Sequence, residues 1–410
     1  MEKIIFLILF SVQLVQAQPV QELTQIALQQ NLDLKILEQQ YLAALELAPE
    51  VKQLPQPELG VGGFPLPVQT RLGPQAIRVS LMQQLPWWGI LDSKEALALS
   101  KAKAAYEQIA VQALTVKYKL EQAYFELYEL RAQQGLTQRN IAILKSLERV
   151  ALASVESGEA TTVEVLRVQL QLAEEQQALK ILNRLETKPM SRINQLLNRD
   201  LNSPIAVLDS LEFAIIELDS AAIINTITAN HPALKIYELQ QATAQAALKV
   251  NELANKPSFS IGADYIFVND RQDINFLDNG RDAVQLRANL TIPIYRKAYE
   301  AKKRAEQISI ARLENEKSNT LQQFLATIEQ AFADYESAKL RLDLYQQQKE
   351  ITQSTIGVLE ANYSAADTGF EELLRLEAAL IAYDLKVLKV VVESWKLKSE
   401  IERLIGTNEK

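Results

Sequence analysis

Along SFSIGADYIFV (258–268), apolar side chains recur at every second position, opposed by small or polar ones as far as Asp264. Phe259, Ile261, Ala263, Tyr265 and Phe267 fall on one side, with Ser258, Ser260, Gly262 and Asp264 on the other. The stretch AVQLRANLTIPI repeats the alternation, with Val284, Leu286, Ala288, Leu290, Ile292 and Ile294 against Gln285, Arg287, Asn289 and Thr291. Earlier in the chain, Ile77, Val79, Leu81 and Leu85 oppose Arg78, Ser80 and Gln84. A period of two predicts strands with one apolar and one polar face. The strands form two hairpins, 57–86 and 257–294, whose loops, 65–75 and 269–282, are polar or turn-rich.

A different period governs most of the remaining chain. Ala113, Val116, Leu120, Ala123, Leu127 and Leu130 recur at alternating steps of three and four, as do Phe324, Ile328, Ala331, Tyr335, Ala338, Leu342 and Tyr345. That 3.5-residue repeat drives helices to pack as coiled coils. It predicts long helices over 93–157, 161–200, 298–366 and 370–406, preceded by shorter ones over 20–48 and 219–255. Pro189 is expected to interrupt the second long helix, because the residue before a proline is pushed out of the helical region. A helix of about 64 residues extends about 96 Å at 1.5 Å per residue.

The halves of the chain are collinear. PELGVGG at Pro57 matches PSFSIGA at Pro257, VEVLRVQ (163–169) matches EELLRLE (371–377), and INQLLNR (193–199) matches IERLIGT (401–407). Leu85, Pro86 and Trp87 fall on Ile292, Pro293 and Ile294. Several segments keeping one register indicate a duplicated unit of helix, hairpin and long helices, at 18–207 and again at 208–410.

Composition narrows the function. Cysteine is absent and His231 is the lone histidine, which removes disulfides, thiolate chemistry and a His-rich metal site. His231 precedes Pro232 at a helix start and reads as structural. A formal charge of -8 without a basic block interleaved with aromatics argues against nucleic acid. No catalytic constellation or phosphate loop is present, so an enzyme is not expected and no cofactor is implied. Lys3, the apolar run IIFLILFSVQLV and the small residues Val15 and Ala17 read as a secretory signal peptide over residues 1–17. No cysteine follows it, so no lipid anchor is expected there. No later apolar run is long enough for a transmembrane helix.

The alternating strands fit two environments: an ordinary sheet packed on a core, or a membrane barrel with lipid-facing apolar and lumen-facing polar side chains. Four strands cannot close a barrel, and open edges are not tolerated in lipid; three chains would supply about twelve strands. On the barrel reading, Arg78, Asp264 and Arg287 face the lumen, and Trp87, Trp88 and Tyr295 lie at the membrane interface, where amphipathic rings anchor. QLPWWGILDSKE (83–94) is then a strand-to-helix joint. Pro86 ends the ladder, Gly89 gives room to turn, and Asp92 with Glu95 resembles a capping box. On the other reading, the tryptophans fill a core between sheet and helix. The turns between long helices, VESGEATTVEVLRVQ and YSAADTGFEELLRLE, carry Gly158 as a C-cap and Thr161 or Thr162 as an N-cap. They also place Glu164, Arg167, Glu372 and Arg375 just past each turn, as a ring of charge or as ordinary helix-surface pairs.

In this order the segments resemble the TolC-type outer-membrane efflux factors of Gram-negative bacteria. The resemblance covers nearly the whole mature chain and rests on the duplicated unit, NHPAL (230–234), LPWWG and IPIY closing the hairpins, YSAADTGFEELLRLE, and the ends INQLLNR and IERLIGT. It implies a mainly α fold with a transmembrane β-barrel: a homotrimeric duct with a 12-stranded barrel in outer-membrane lipid and a long periplasmic coiled-coil tunnel. It also implies a periplasmic adaptor protein and an inner-membrane efflux pump as partners. The family carries an acidic residue at the position of Glu372, where three copies narrow the closed tip. A second acidic residue three positions on is Arg375 here, and the glycine usual after the tyrosine is Ala366. FPLPVQTRLGPQ and FEELLR resemble the heavy-metal-efflux branch (CusC/CzcC-like), which implies metal cations as cargo, although the chain itself offers no soft-metal ligands. The alternative from a different class is a periplasmic coiled-coil scaffold or adaptor without a membrane span.

Overall fold

The computed structural model describes residues 20–158, 161–216, 220–273, 277–363 and 370–406. The proposed signal peptide, and Ala366 in the second helical turn, lie outside them. In order, the elements are α1 (Val20–Gln30), α2 (Leu32–Lys52), β1 (Glu58–Gly63), β2 (Gln69–Thr70), β3 (Gly73–Leu85), α3 (Ile90–Glu156), α4 (Thr162–Leu185), α5 (Thr187–Leu196), α6 (Ser220–Asn230), α7 (Pro232–Ala254), β4 (Ser258–Val268), β5 (Ala283–Thr291), α8 (Lys297–Tyr363) and α9 (Phe370–Ile405). The chain divides into two compact units: residues 1–35, 110–231 and 321–410 form one, and 36–109 with 232–320 form the other. The 67-residue helices α3 and α8 run from one unit into the other.

Several helix boundaries differ from the sequence expectation, each for a local reason. The helix expected over 20–48 is two, divided at Asn31. The Asn31 side-chain oxygen accepts the backbone N–H groups of Asp33 (3.0 Å) and Leu34 (3.3 Å), which caps α2. Its amide donates to the Leu196 carbonyl at 3.1 Å. The counterpart break falls at His231, which is buried, lies against Phe324, and hydrogen-bonds the Arg403 carbonyl at 3.4 Å. Burial pushes its imidazole below the ordinary pKa, so the ring is neutral and structural. The 161–200 helix is interrupted at Glu186, three residues ahead of Pro189, and not at Lys188, which stays inside α5. Glu186 itself keeps helical backbone, and the missing N–H of Pro189 leaves the Leu185 carbonyl without its helical donor. Thr161 precedes α4 but makes no side-chain cap. Asn198 and Gly406, in matched positions of INQLLNR and IERLIGT, both adopt left-handed backbone, φ 52° and 73°.

In the first unit the coiled-coil stripe becomes the core. Val116, Leu120, Ala123 and Leu127 of α3 are buried, as are Ile328, Ala331, Tyr335, Ala338 and Leu342 of α8. Ala331 and Tyr335 pack on Leu397 and Ile401 of α9, while Ala338 and Leu342 pack on Val390 and Val391. Residues 203–216 have no regular structure, yet Ile205 and Ala214 are buried within this core. Side chains satisfy the strap's backbone. Leu208 N–H donates to Tyr124 Oη (3.1 Å), Leu211 N–H to Tyr128 Oη (2.9 Å) and Ala214 N–H to Ser394 Oγ (2.9 Å). Tyr335 accepts from Ile216 and donates to the Ala214 carbonyl, and Trp395 donates to the Glu212 carbonyl. Buried backbone polar groups require such partners, and helix-borne hydroxyls replace a sheet ladder here.

A buried carboxylate in this unit makes stability pH-dependent. Glu121 accepts from Ser399 Oγ at 2.6 Å, and Lys117, bonded to Glu402 at 3.0 Å, lies 3.8 Å away. Burial pushes the Glu121 carboxyl above its ordinary 4.5 despite these partners. An acid with a raised folded-state pKa binds its proton more tightly when folded, so its contribution is full below 4.5 and is lost as pH rises through the raised value. Glu121→Gln is therefore expected to flatten the fall of the unfolding temperature from pH 4.5 upward, and to raise that temperature at pH 7. An unchanged pH slope would show that Glu121 is not the titrating group.

Candidate functional site

The second unit holds an antiparallel sheet in the order β1-β3-β4-β5, with short β2 beside β3. Its register aligns one apolar face across all four long strands. Val61, Val79, Tyr265 and Val284 form one row, and Leu59, Leu81, Ala263 and Leu286 the next. The opposite face aligns Gly60, Ser80, Asp264 and Gln285. The alternation is therefore that of real strands, although β5 ends at Thr291, so Ile292 and Ile294 lie beyond the ladder.

Burial of the two faces is the reverse of a soluble sheet. Leu59, Val61, Ile77, Leu81, Ile261, Tyr265, Phe267, Val284, Leu286 and Leu290 are exposed, Leu286 at 82%. On the other face Asp264 is buried, together with Ile266 and Val268. Arg287 donates to Asp264 at 2.7 Å, and the Asp264 side chain is 0% exposed. Arg78 lies on the same face with its guanidinium 5.5 Å from the centre of the Phe64 ring. Arg78 Nε, Asp264 Oδ2 and Arg287 Nε are buried without hydrogen-bond partners among the described residues. Two of the three charges expected at a lumen are thus an ion pair and not independent charges.

At the joint, Gly89 adopts φ 77°, and α3 starts at Ile90, earlier than expected. Glu95 makes no capping box: it bonds Lys52 at 2.7 Å, and Gly89 and Trp87 supply backbone acceptors to the first turn. Trp87 and Trp88 pack edge to face at 5.2 Å, and both lie against Phe259 of β4. Their contacts put them beside the apolar sheet face, with Trp88 still 73% exposed. Tyr295, beyond β5, is also exposed.

Past the helical turns, the charges pair within the chain. Gly158 adopts φ 78° and follows α3 as a C-cap. Arg167 of α4 bonds Glu371 of α9 at 2.6 Å, and Arg375 bonds Glu372 at 2.9 Å. The hydrogen bond from Arg375 holds the Glu372 carboxyl below its ordinary range. Glu164, Arg167, Glu371 and Arg375 line one hollow over Phe370. Beneath it Leu144, Ala151, Val165, Val168 and Phe370 form a small core. Glu371 is absent from the sequence expectation because its partner is remote in the chain; its place beside Glu372 was the available signal. The helix-borne side chains that hold the strap, Tyr124, Tyr128, Ser394 and Trp395, have no signal in the sequence, because residues 203–216 carry no periodicity that would announce a partner. Among the described residues no His/Cys/Asp/Glu group could hold a metal ion, and no helix is long and apolar enough to cross a membrane.

A sheet that exposes its apolar face and hands its strands directly to 67-residue helices is a TolC-like fold. Solved channels share it. CusC superposes with a TM-score of 0.76 at 16% identity, over 95% of this chain and 92% of that one. The outer-membrane protein VceC of Vibrio cholerae gives 0.75 at 13% identity, over 95% and 97%. In sequence, the pyoverdine export outer membrane protein OpmQ of Pseudomonas aeruginosa is 24% identical over 316 residues, 74% of this chain. The match spans 64% of that protein's length. No family model matches the chain.

Proposed function

We propose that the chain is the outer-membrane channel of a tripartite efflux system. Three copies pair β1 of one with β5 of the next and close a 12-stranded barrel in outer-membrane lipid. The repeats 18–207 and 208–410 each supply one hairpin to the barrel and one set of long helices to a periplasmic tunnel. A signal peptide over residues 1–17 directs export. An inner-membrane pump delivers cargo through a periplasmic adaptor, and the channel is a passive exit without catalysis or cofactor. The cargo is set by the pump; relatives include an exporter of pyoverdine, and metal cations are the cargo the sequence resemblance suggests.

The exposed apolar sheet face carries this reading. Leaving Leu286, Val284, Leu59 and Val61 in water forgoes the main driving force of folding, and lipid removes that cost. Among the described residues the two ends of the sheet, β1 and β5, are unpaired edges, which invite strand addition. The paired Arg287 and Asp264 suit a wet lumen, while Trp87, Trp88 and Tyr295 suit the membrane interface. Expression of the full chain with its leader is expected to yield an outer-membrane trimer that resists extraction by salt and alkali. Recovery as a soluble periplasmic monomer would instead support the scaffold alternative.

Glu372, Arg375, Glu164 and Arg167 are read as the tip of the tunnel, with Glu371 added to them. Exposed ion pairs contribute only about 0–1 kcal/mol, so their loss leaves the fold intact. In planar bilayers Glu372→Ala and Arg167→Glu are expected to raise single-channel conductance, the second by setting like charges at Glu371. Unchanged conductance and ion selectivity in both would remove these residues from the constriction.

A further inference from the structure

Beside the tryptophan pair lies a hollow of about 580 Å³ that neither the fold nor the proposed duct accounts for. Leu54, Leu85, Trp87, Trp88, Phe259 and Ile261 supply apolar walls, with Lys52 and Asp92 also lining it. Phe259 and Ile261 belong to the exposed apolar face of the sheet, and Leu85 pairs with Phe259 in register, so the hollow continues that face. The volume is in the range of small-ligand sites, about 300–1,000 Å³, and too small for another protein domain.

We infer that this hollow binds one zwitterionic glycerophospholipid, an acyl chain lying against Trp87, Trp88 and Phe259 and the headgroup at Lys52 and Asp92. The inference rests on the outer-membrane reading, which places the apolar sheet face in lipid. Charge selects the class. Lys52 offers an ammonium to a phosphate but is shared with Glu95 at 2.7 Å, and Asp92 adds a second carboxylate. Net negative charge at the rim disfavours a purely anionic headgroup, whereas a phosphate at Lys52 and an ammonium at Asp92 satisfy both signs. The exposed Trp88 ring offers the ammonium a cation–π face as well. A neighbouring copy is the weaker occupant. The strand residues of the walls, Leu85, Phe259 and Ile261, belong to β3 and β4, the interior strands of the sheet, and the rest come from the ends of α2 and α3 and the joint, while pairing between copies uses β1 and β5.

The chain has three tryptophans, Trp87, Trp88 and Trp395. In Trp395→Phe the remaining tryptophan emission, excited selectively over tyrosine, reports on the hollow alone. The full-length variant is purified in detergent micelles and titrated with phosphatidylcholine brominated along one acyl chain. Insertion is measured separately, as alkali-resistant flotation with phosphatidylethanolamine vesicles. Saturable quenching at low lipid fraction is expected, reversed by unbrominated phosphatidylethanolamine and not by phosphatidylglycerol. Adding Lys52→Glu should raise the half-quenching fraction by about tenfold, the loss of one charge-assisted hydrogen bond. Quenching that rises linearly with lipid fraction, indifferent to headgroup and to Lys52, would overturn the site and leave a general interfacial position. Absence of quenching in a chain that floats with vesicles overturns it too, and means that protein covers the hollow. A chain that does not float removes the duct reading itself.

Discussion

Leu286→Arg is expected to abolish recovery of the trimer from the outer membrane, while Gln285→Arg, one residue away, leaves it largely intact. Leu286 is central in β5 and 82% exposed; Gln285 is on the opposite face, in register with Asp264. On a barrel's lipid face an arginine at the bilayer midplane costs about 2–4 kcal/mol. Three copies repeat the cost, and insertion and assembly fail together. On the lumen side the same residue meets water. For an ordinary soluble sheet the expectation is reversed: an exposed leucine tolerates arginine. Fractionation and heat-modifiable mobility of the two variants decide between them, and equal behaviour would sink the assignment of faces.

Arg287→Glu is expected to act on stability and on ion selectivity at once. The variant replaces the donor at 2.7 Å with a second carboxylate against an Asp264 side chain that is fully buried. Removing one partner of a buried pair costs about 3–5 kcal/mol, and the lower end applies because the Arg287 side chain keeps part of its exposure. If this face lines a lumen, three added carboxylates also shift the reversal potential toward cation selectivity. The charge swap Arg287→Glu with Asp264→Arg should restore stability while keeping the ring uncharged overall. Loss of stability without any change in selectivity in the single variant would place the pair in a closed core and not in the pore wall.

These two experiments rest on features of unequal legibility. The faces of the strands were readable because the pleat enforces a period of two, so Leu286 and Arg287 declare their sides without any structure. The Trp87–Trp88 joint was readable because Pro86 and Gly89 punctuate it. The capping box was misread: Asp92 and Glu95 have the right spacing, but Lys52, more than forty residues earlier, claims Glu95. Arg375 and Glu372 are neighbours on one helix and their pairing followed from spacing. Arg167 and Glu371 belong to different helices, and nothing local announces them.

The sequence by itself determined the periods, and with them the strands, the long helices and the order of elements that comes round twice. Local sterics and backbone geometry govern these, and they act within a few residues. Only the tertiary structure decided which charges on different elements neutralise one another and how the strap over 203–216 satisfies its backbone through Tyr124, Tyr128, Tyr335 and Ser394. It alone decided that the sheet turns its apolar face outward and buries Asp264. Those outcomes depend on partners tens to hundreds of residues apart, brought together by burial and hydrogen bonding, and no local pattern encodes the meeting.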